Sequence, residues 1–298
     1  MKCNLFSSTN AYIGSPEQVS GGLAVATIVK GTATQATQVA NIVFSDLNMS
    51  CPENMNVFVL AAVRDAFNGS VAKLDGSIVT YDECKGGFYR QLTFKNASMN
   101  ALSFPALDAG SKDAATIDFT YTPEATVRTQ AMSIPNALKI DAMYRPQLTW
   151  NRSNFVINID GIPQAVCASI QKVESLSLTK TSIAAAGSPL ICSDFIITLA
   201  MCNADAFIAW YKASLEIGVP SSLKNASIQF FNAKNTITGL LTPAFTLRLC
   251  NMWLYQVLEG QAGTNTLDGM MGRAPSGTTA DDNKISFCMN VGAVTLDV

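Results

Sequence analysis

The sequence contains no histidine among its 298 residues. Histidine is the commonest general base, and both Ser-His-Asp and Cys-His catalytic sites require it, so those sites are excluded within one chain. Phosphate-loop and Gly-x-Ser-x-Gly motifs are also absent. Paired carboxylates act without histidine in glycoside hydrolysis, but the adjacent Asp281 and Asp282 lie in a Gly- and Thr-rich loop that does not fix their separation. We therefore expect no catalytic residue, no cofactor and no metal site.

Charged residues are scarce. They make up 14% of the chain, against about 25% in ordinary globular domains, while 48% of the residues are hydrophobic. The net charge of −2 provides no basic field to attract nucleic acid. The composition predicts a surface covered largely by partner molecules. A sparsely charged monomeric β protein is the less favoured alternative, because such a surface tends to associate.

Cysteines are present, but none is spaced for metal binding. No Cys-x-x-Cys pair occurs, so the spacing of a zinc knuckle is absent. Two interpretations remain open: buried free thiols, or disulfides within or between subunits of an extracellular particle. The eight cysteines are Cys3, Cys51, Cys84, Cys167, Cys192, Cys202, Cys250 and Cys288.

Long hydrophobic runs are missing as well. The longest, Val57–Val63, is far shorter than the ~20 residues that span a bilayer. The first residues, Met1–Ser8, lack the apolar core of a signal peptide. We expect a protein without a membrane segment that is synthesised in the cytoplasm.

The pattern that is present occurs twice. In the first half, Asp75–Tyr81 is followed by a polar turn and by an apolar stretch that ends in Leu92–Ala97. In the second half, Asn225–Phe231, a polar turn and Leu247–Asn251 follow the same plan. Two copies of one domain in one chain are typical of a part that repeats around an axis.

Most segments have the composition of β-strands. Ile117, Phe119 and Tyr121 alternate onto one face, and the motif that ends at Gly161 places Phe155, Ile157 and Ile159 on another. We expect Ile117–Thr122 and Ile285–Val291, which are similar, to end their respective copies. The predicted strands include Gly22–Val29, Ile117–Thr122, Asn154–Gly161 and Ile285–Val291.

One helix is predicted in each copy, after the matching segments Ile42–Cys51 and Leu190–Leu199. The first spans 52–67, with Pro52 in its first turn and Asn68-Gly69 as its stop. The second spans 203–213, with Asn203 as N-cap. We expect each helix to pack an apolar stripe, which includes Phe58 or Phe207, against a sheet.

Two polar stretches, Ala106–Asp113 and Gly260–Asn283, interrupt the strands. The second is too long for a compact domain unless it has a function such as reaching a neighbouring subunit, and a mobile surface loop is the competing interpretation. Proline interrupts regular structure near Tyr144–Thr149. We place the domain boundary there, which gives domains at residues 1–148 and 149–298.

Short motifs in the first copy resemble the tail-tube family of contractile phage tails and related injection machines. In that family, an E-V-S-G-L segment precedes a D-x-x-I hairpin, a W/F-K-N-A strand and an S-x-P-x-L-x-A loop. The corresponding segments here are Gln18–Leu23, Lys73–Val79, Leu92–Ala97, Ser103–Ala109 and, overlapping the last, Leu107–Asp113.

The second copy carries weaker matches to the same family. Phe155–Gly161 resembles its F-x-V-x-I-D-G opening strand, and Val173–Leu176 is a degraded E-V-S-G-L segment. Asn251 follows Cys250 where Asn96 follows Lys95, although the rest of the Phe-Lys-Asn-Ala signature is lost.

The resemblance implies a mainly β protein with two tandem tail-tube-like β-barrel or sandwich domains, each with one short α-helix. Members form hexameric rings in which sheets of neighbouring subunits join, and the rings stack into a tube. It therefore implies a structural subunit of a virion tail or extracellular injection particle, with a channel through which DNA or an effector passes without specific binding. Its partners would be copies of itself and possible sheath, baseplate and terminator proteins.

The duplication leaves the ring composition open. Three chains with alternating copies would build a pseudo-sixfold trimer, which we favour, and six chains would give a hexamer. A baseplate hub or tube initiator with two tube-like domains is the main alternative. Acidic side chains suited to a DNA-repelling lumen include Asp82, Glu83, Asp118 and Glu124, although each is also explained as a solvated surface residue.

A carbohydrate- or receptor-binding β-sandwich is the remaining class. The chain has three tryptophans, Trp150, Trp210 and Trp253, and two of them fall in apolar segments. An aromatic binding platform is therefore not evident.

Overall fold

The computed structural model describes a mainly β protein, as the sequence predicts. The described residues are 2–9, 12–32, 35–36, 38–52, 63–64, 73–82, 88–131, 151–180, 190–216, 222–231, 243–259 and 284–297. Within these ranges the chain forms twenty β-strands and two α-helices, and it divides into two compact units.

The first unit consists of Met1–Phe104, Ala114–Trp150 and Ser177–Ile191. Its main sheet has the order β2-β1-β7-β8-β10-β6-β3, with β11 and β14 also on β8 and β15 on β14, while β4 and β5 form a separate hairpin. The strands of the first half are β1 (Lys2–Ser7), β2 (Tyr12–Gly14), β3 (Gln18–Gly21), β4 (Ala24–Val29), β5 (Gln38–Phe44), β6 (Leu47–Pro52), β7 (Lys73–Asp82), β8 (Phe88–Phe104), β9 (Leu107–Asp108), β10 (Thr116–Thr122) and β11 (Ala125–Ala131).

The second unit consists of Pro105–Asp113, Asn151–Leu176 and Cys192–Val298. Its sheet has the order β12-β17-β18-β19-β16-β13-β9, with β20 also on β18. The elements of the second half are β12 (Phe155–Ile159), α1 (Gln164–Cys167), β13 (Ile170–Val173), β14 (Leu176–Lys180), β15 (Leu190–Cys192), β16 (Phe195–Ala200), α2 (Asp205–Glu216), β17 (Lys224–Phe231), β18 (Pro243–Glu259), β19 (Lys284–Asn290) and β20 (Ala293–Asp297).

The two sheets share one strand order. The path β1-β7-β8-β10-β6-β3 in the first unit corresponds to β12-β17-β18-β19-β16-β13 in the second, and β11 on β8 corresponds to β20 on β18. The hairpins that the sequence repeat predicts are β7-β8 and β17-β18, both antiparallel. The internal repeat is therefore present in the strand topology as well as in the sequence.

Each unit also contains a segment from the opposite half of the sequence. Ser177–Ile191, which carries most of β14, belongs to the first unit, and Pro105–Asp113, which carries β9, belongs to the second. The backbone N–H of Ala109 donates to the carbonyl of Gln171 at 2.8 Å, beside the β9-β13 pair. The boundary predicted at 144–149 lies outside the described residues.

The core of each unit is built from alternating strand residues. Ile117, Phe119 and Tyr121 on β10 are all at most 2% exposed, as their alternation predicts. On β12, Ile157 and Ile159 are buried and Phe155 is half-buried. On α2, the fully buried Phe207 stacks on Phe287 of β19 with ring centroids 5.0 Å apart, so this helix packs against the sheet as predicted.

Several local predictions were wrong. Neither β10 nor β19 ends its copy, because β11 and β20 follow and pair with β8 and β18. Pro52 does not open a helix, because the pairing of β6 with β10 extends to it, opposite Thr116. Of the predicted helix 52–67, only Val63 and Arg64 are otherwise described, and both are helical.

The helices of the second half also differ from the prediction. Asn203 is not the N-cap of α2, because it ends a 3₁₀ turn, Met201–Asn203, and the helix begins at Asp205. The carbonyl of Ala204 accepts the first helical N–H bonds, from Phe207 and Ile208, both at 2.9 Å. The second half also contains α1, a four-residue helix that was not predicted.

Candidate assembly surface

The β4-β5 hairpin exposes apolar side chains along both of its strands. Every residue of β4 is exposed, and so is every residue of β5 except Phe44. A two-stranded hairpin without a packed face is marginally stable in water. The exposed apolar side chains of this hairpin are therefore suited to packing against another surface. Its large exposed side chains are Leu23, Val25, Ile28, Val29, Val39, Ile42 and Val43, each between 47% and 60% exposed.

The β14-β15 hairpin occupies the equivalent place in the repeat, but two apolar side chains of β14 are buried. β4 follows β3 and β5 precedes β6, just as β14 follows β13 and β15 precedes β16. Leu176 and Leu178 are 3% and 0% exposed, whereas Leu23 and Val25 at the matching positions are 52% and 50% exposed. The difference is that β14 is paired with β8 in the sheet of the first unit.

The position of β14 on β8 follows from the strands around it. β7 pairs with one edge of β8 from Phe88 to Ser98, and β11 and β10 share the opposite edge. The hydroxyl groups of Ser103 and Ser177 are 2.6 Å apart, which places β14 beyond the end of β7. Both edges of the last part of β8 therefore have strand neighbours.

The equivalent part of β18 has one strand neighbour among the described residues. β17 pairs with Pro243–Met252, while β20 and β19 share the opposite edge. In the described part of the chain, no second strand pairs with Trp253–Glu259. Trp253 and Leu258 are 39% and 42% exposed, so this open edge also carries apolar side chains.

A hydrogen bond fixes the middle of this open segment. The hydroxyl of Tyr255 donates to Asp194 Oδ2 at 2.6 Å. This bond, more than burial, raises the pKa of Tyr255 to about 12, so the donor keeps its proton throughout the physiological range. The segment is held in place although one of its edges pairs with none of the described strands.

The acidic residues proposed for a lumen have different surroundings. Asp118 is exposed on β10. Glu124 is also exposed and forms an ion pair with Lys73, and Asn96 Nδ2 donates to its other carboxylate oxygen at 2.8 Å. These hydrogen bonds, first that of Lys73, lower the pKa of Glu124. Asp82 ends β7, and Glu83 lies outside the described residues.

The residues considered for other functions are not assembled into a site in the described ranges. Asp281, Asp282 and Trp150 lie outside these ranges. Trp210 is buried, and its Nε1 donates to the carbonyl of Ser222 at 2.8 Å, so this tryptophan is a core residue.

Among the described residues, no three His, Cys, Asp or Glu side chains lie close enough to hold a metal ion. No described helix has the length and apolarity of a membrane span.

The seven described cysteines are all free thiols, and Cys84 lies outside the described residues. Cys51, Cys167 and Cys288 are buried, whereas Cys202 is exposed. Burial, with smaller effects of Asp118 and Glu17, raises the pKa of Cys51 to about 12. Disulfides between chains remain a prediction.

Sequence reasoning identified the strand at Gly22–Val29 but neither its exposure nor the open edge of β18. The sequence does contain a signal for the unusual surface of this strand. No charged residues, which a solvated face would carry, separate Val25, Ile28 and Val29. No comparable signal marks Trp253–Glu259, since an open edge depends on where the neighbouring strand ends.

No protein-family model and no curated protein matches the sequence. Solved structures of contractile injection systems are similar to it at low identity. A chain of the sheath-tube complex of the extracellular contractile injection system PVC, in its extended state, is 14% identical, with a TM-score of 0.36 over 44% of this chain and 89% of that one. A chain of the anti-feeding prophage baseplate is 13% identical, with a TM-score of 0.35 over 47% of this chain and 93% of that one.

Proposed function

We propose that the protein is a structural subunit of a phage tail tube or of the inner tube of a related injection machine. Its rings would stack to form a channel for DNA or an effector, without catalysis. The observation that carries this proposal is the completion of the first unit's sheet by a hairpin from the other repeat. Repeated parts that cover each other's sheet edges leave no exposed margin when the assembly closes into a ring.

The composition and surface support this proposal. Few residues are charged, and the exposed β4-β5 hairpin carries large apolar side chains on both strands. The net charge of −2 suits a lumen through which DNA slides, and the exposed Asp118 and Glu124 are candidates to face it. The partners would be further copies of the chain and, at the tube surface and ends, sheath, baseplate and terminator proteins.

Electron microscopy of the purified protein tests the proposal. Negative staining should show rings or tubes, and an axial class average should count the chains and repeats in each ring. Monodisperse monomers at high protein concentration would contradict a tube role.

A baseplate hub or tube initiator is the second candidate, favoured by the presence of two units in one chain. Labelling intact particles with an antibody against the protein distinguishes the two roles. A tube subunit is labelled along the whole tail, whereas a hub is labelled once, at the tip.

A further inference from the structure

We propose that β4 of one chain pairs with the Trp253–Glu259 part of β18 in a second copy of the chain. This contact would join chains head to tail, with the β4-β5 hairpin of each chain added to the second unit of the next. The inference goes beyond the proposed function, because it concerns how this chain associates in any assembly that it forms.

The first unit contains the template for this contact. There, β14 lies beside the last part of β8, beyond the end of β7, as the contact between Ser103 and Ser177 indicates. β4 is the repeat equivalent of β14, and Trp253–Glu259 is the equivalent of that part of β8. Applying the internal pairing to the equivalent strands places β4 on this edge of β18.

Among the described residues, neither proposed surface has the strand partner that the template pair has. On the hairpin, Leu23 and Val25 are half exposed, whereas Leu176 and Leu178 are buried where β14 pairs. On the receiving edge, Trp253 and Leu258 are exposed, and among the described strands only β19 pairs with this part of the backbone. Pairing would supply main-chain hydrogen bonds and cover apolar side chains on both partners, which is how an added strand binds a sheet edge.

The arrangement of donors and acceptors favours a copy of the chain as the occupant. The described strands of each chain include two hairpins of this kind and two receiving edges. One pair, β14 with β8, is already formed, so one hairpin and one edge remain. Among the described strands, β4 pairs with β5 only, so its other edge is available to a second copy of the chain. Because the remaining surfaces differ, their contact is heterologous and generates a ring if it closes or a filament if it does not.

Two assembly-blocking variants test the contact. Val25→Lys combined with Ile28→Lys puts charge on the hairpin, and Leu258→Lys puts charge on the receiving edge; all three side chains are at least 42% exposed, so folding should be retained. The control is Val127→Lys, which adds the same charge to a residue 61% exposed on β11. Circular dichroism checks the folding of each variant, and light scattering after size-exclusion chromatography gives its mass.

We expect wild type and the control to assemble, and each blocked variant to remain monomeric at the same concentration. An equimolar mixture of the two blocked variants should give a 1:1 dimer and nothing larger, because it retains one intact hairpin and one intact edge. A folded hairpin variant that assembles like wild type, a mixture that stays monomeric, or a wild-type chain that never associates would each overturn the proposal. Assemblies that depend on the hairpin but never stack would contradict the tube role instead, whereas tubes unaffected by the hairpin variant would contradict only this contact.

Discussion

Asn96 and Asn251 occupy the same position in the two repeats, and both have a left-handed backbone, with φ of 50° and 55°. The backbone N–H of Asn96 donates to Asp75 Oδ1 at 2.6 Å, and that of Asn251 donates to Asn225 Oδ1 at 3.1 Å. Pairing with the preceding strand shifts register beside Asp75 and beside Asn225. The asparagine of the Phe-Lys-Asn-Ala motif therefore serves a β-bulge, which each repeat closes with a side-chain acceptor.

Removing the acceptor in the first repeat should destabilise the bulge. Asp75→Ala leaves the N–H of Asn96 without this partner, and we expect a loss of about 1–3 kcal/mol in the free energy of unfolding. The second repeat supplies the control, because Asp75→Asn introduces the residue found there at position 225 and should cost less. Urea unfolding measures both changes, and equal losses in the two variants would contradict the role of the acceptor.

The left-handed conformation itself gives a second prediction. Asn96→Val should lose about 1–3 kcal/mol of stability, since a β-branched residue is strained at positive φ, whereas Asn96→Gly should cost much less. Asn251→Val should behave in the same way if the two bulges are equivalent. Denaturant unfolding of these single variants provides the comparison, and a tolerated valine at position 96 would argue against the strain.

Gly76 lies beneath the ring of Phe94. In the second repeat, the residue equivalent to Gly76 is larger and the residue equivalent to Phe94 is smaller. A Cβ at Gly76 would lie 2.7 Å from Phe94 Cζ and 2.6 Å from the carbonyl oxygen of Phe6. The corresponding cross-strand pairs are Gly76 with Phe94 and Ala226 with Leu249. The second repeat thus has a larger strand residue opposite a smaller partner.

Gly76→Ala should destabilise the protein by about 1–3 kcal/mol through overpacking. Adding Phe94→Leu, which reproduces the pair of the second repeat, should recover part of this loss although Phe94→Leu alone is also destabilising. Thermal and urea unfolding of the two single variants and the double variant measure the coupling. Strictly additive losses would show that the ring is not what excludes alanine.

Ile78 lies in a strand with neighbours on both sides, opposite Leu5 of β1 and Leu92 of β8, and is 2% exposed. Ile78→Lys should therefore cost at least the ~2–5 kcal/mol of truncating a buried aliphatic side chain, because it also buries an amine. We expect loss of folding rather than selective loss of assembly. Circular dichroism of this variant beside Val127→Lys distinguishes these outcomes, and a native spectrum for both would contradict the prediction.

The Glu124 carboxylate should titrate below its ordinary range. Its hydrogen bonds to Lys73 and Asn96 lower its folded-state pKa, so the stability they contribute is present above the unfolded value of about 4.3 and is lost as pH falls through the folded value. NMR titration should give a midpoint below that of an unfolded glutamate, and Lys73→Met should move it upward. An unchanged midpoint in that variant would contradict the assigned cause.

Local patterns were enough to predict the hairpins but not the sheet that each strand joins. Alternation at Ile117, Phe119 and Tyr121 reports a buried face, and the two hairpin partners are close in sequence. The exchange of Pro105–Asp113 and Ser177–Ile191 had no such signal, because strand-forming residues do not specify a distant partner. The N-cap prediction at Asn203 failed for a related reason, since a preceding 3₁₀ turn displaced the start of the helix.

The pairing of β14 with β8 also changes the kinetics expected of assembly. This joint forms as the chain folds, because its two strands are tethered and meet at a high effective concentration. In an assembly made by the proposed β4-β18 contact, the contacts between successive repeats would alternate between β14-β8 and β4-β18. Every β14-β8 contact would already exist in the monomer. Only the β4-β18 contacts between chains would depend on the protein concentration in the cell. The affinities of the β14-β8 and β4-β18 contacts could therefore differ.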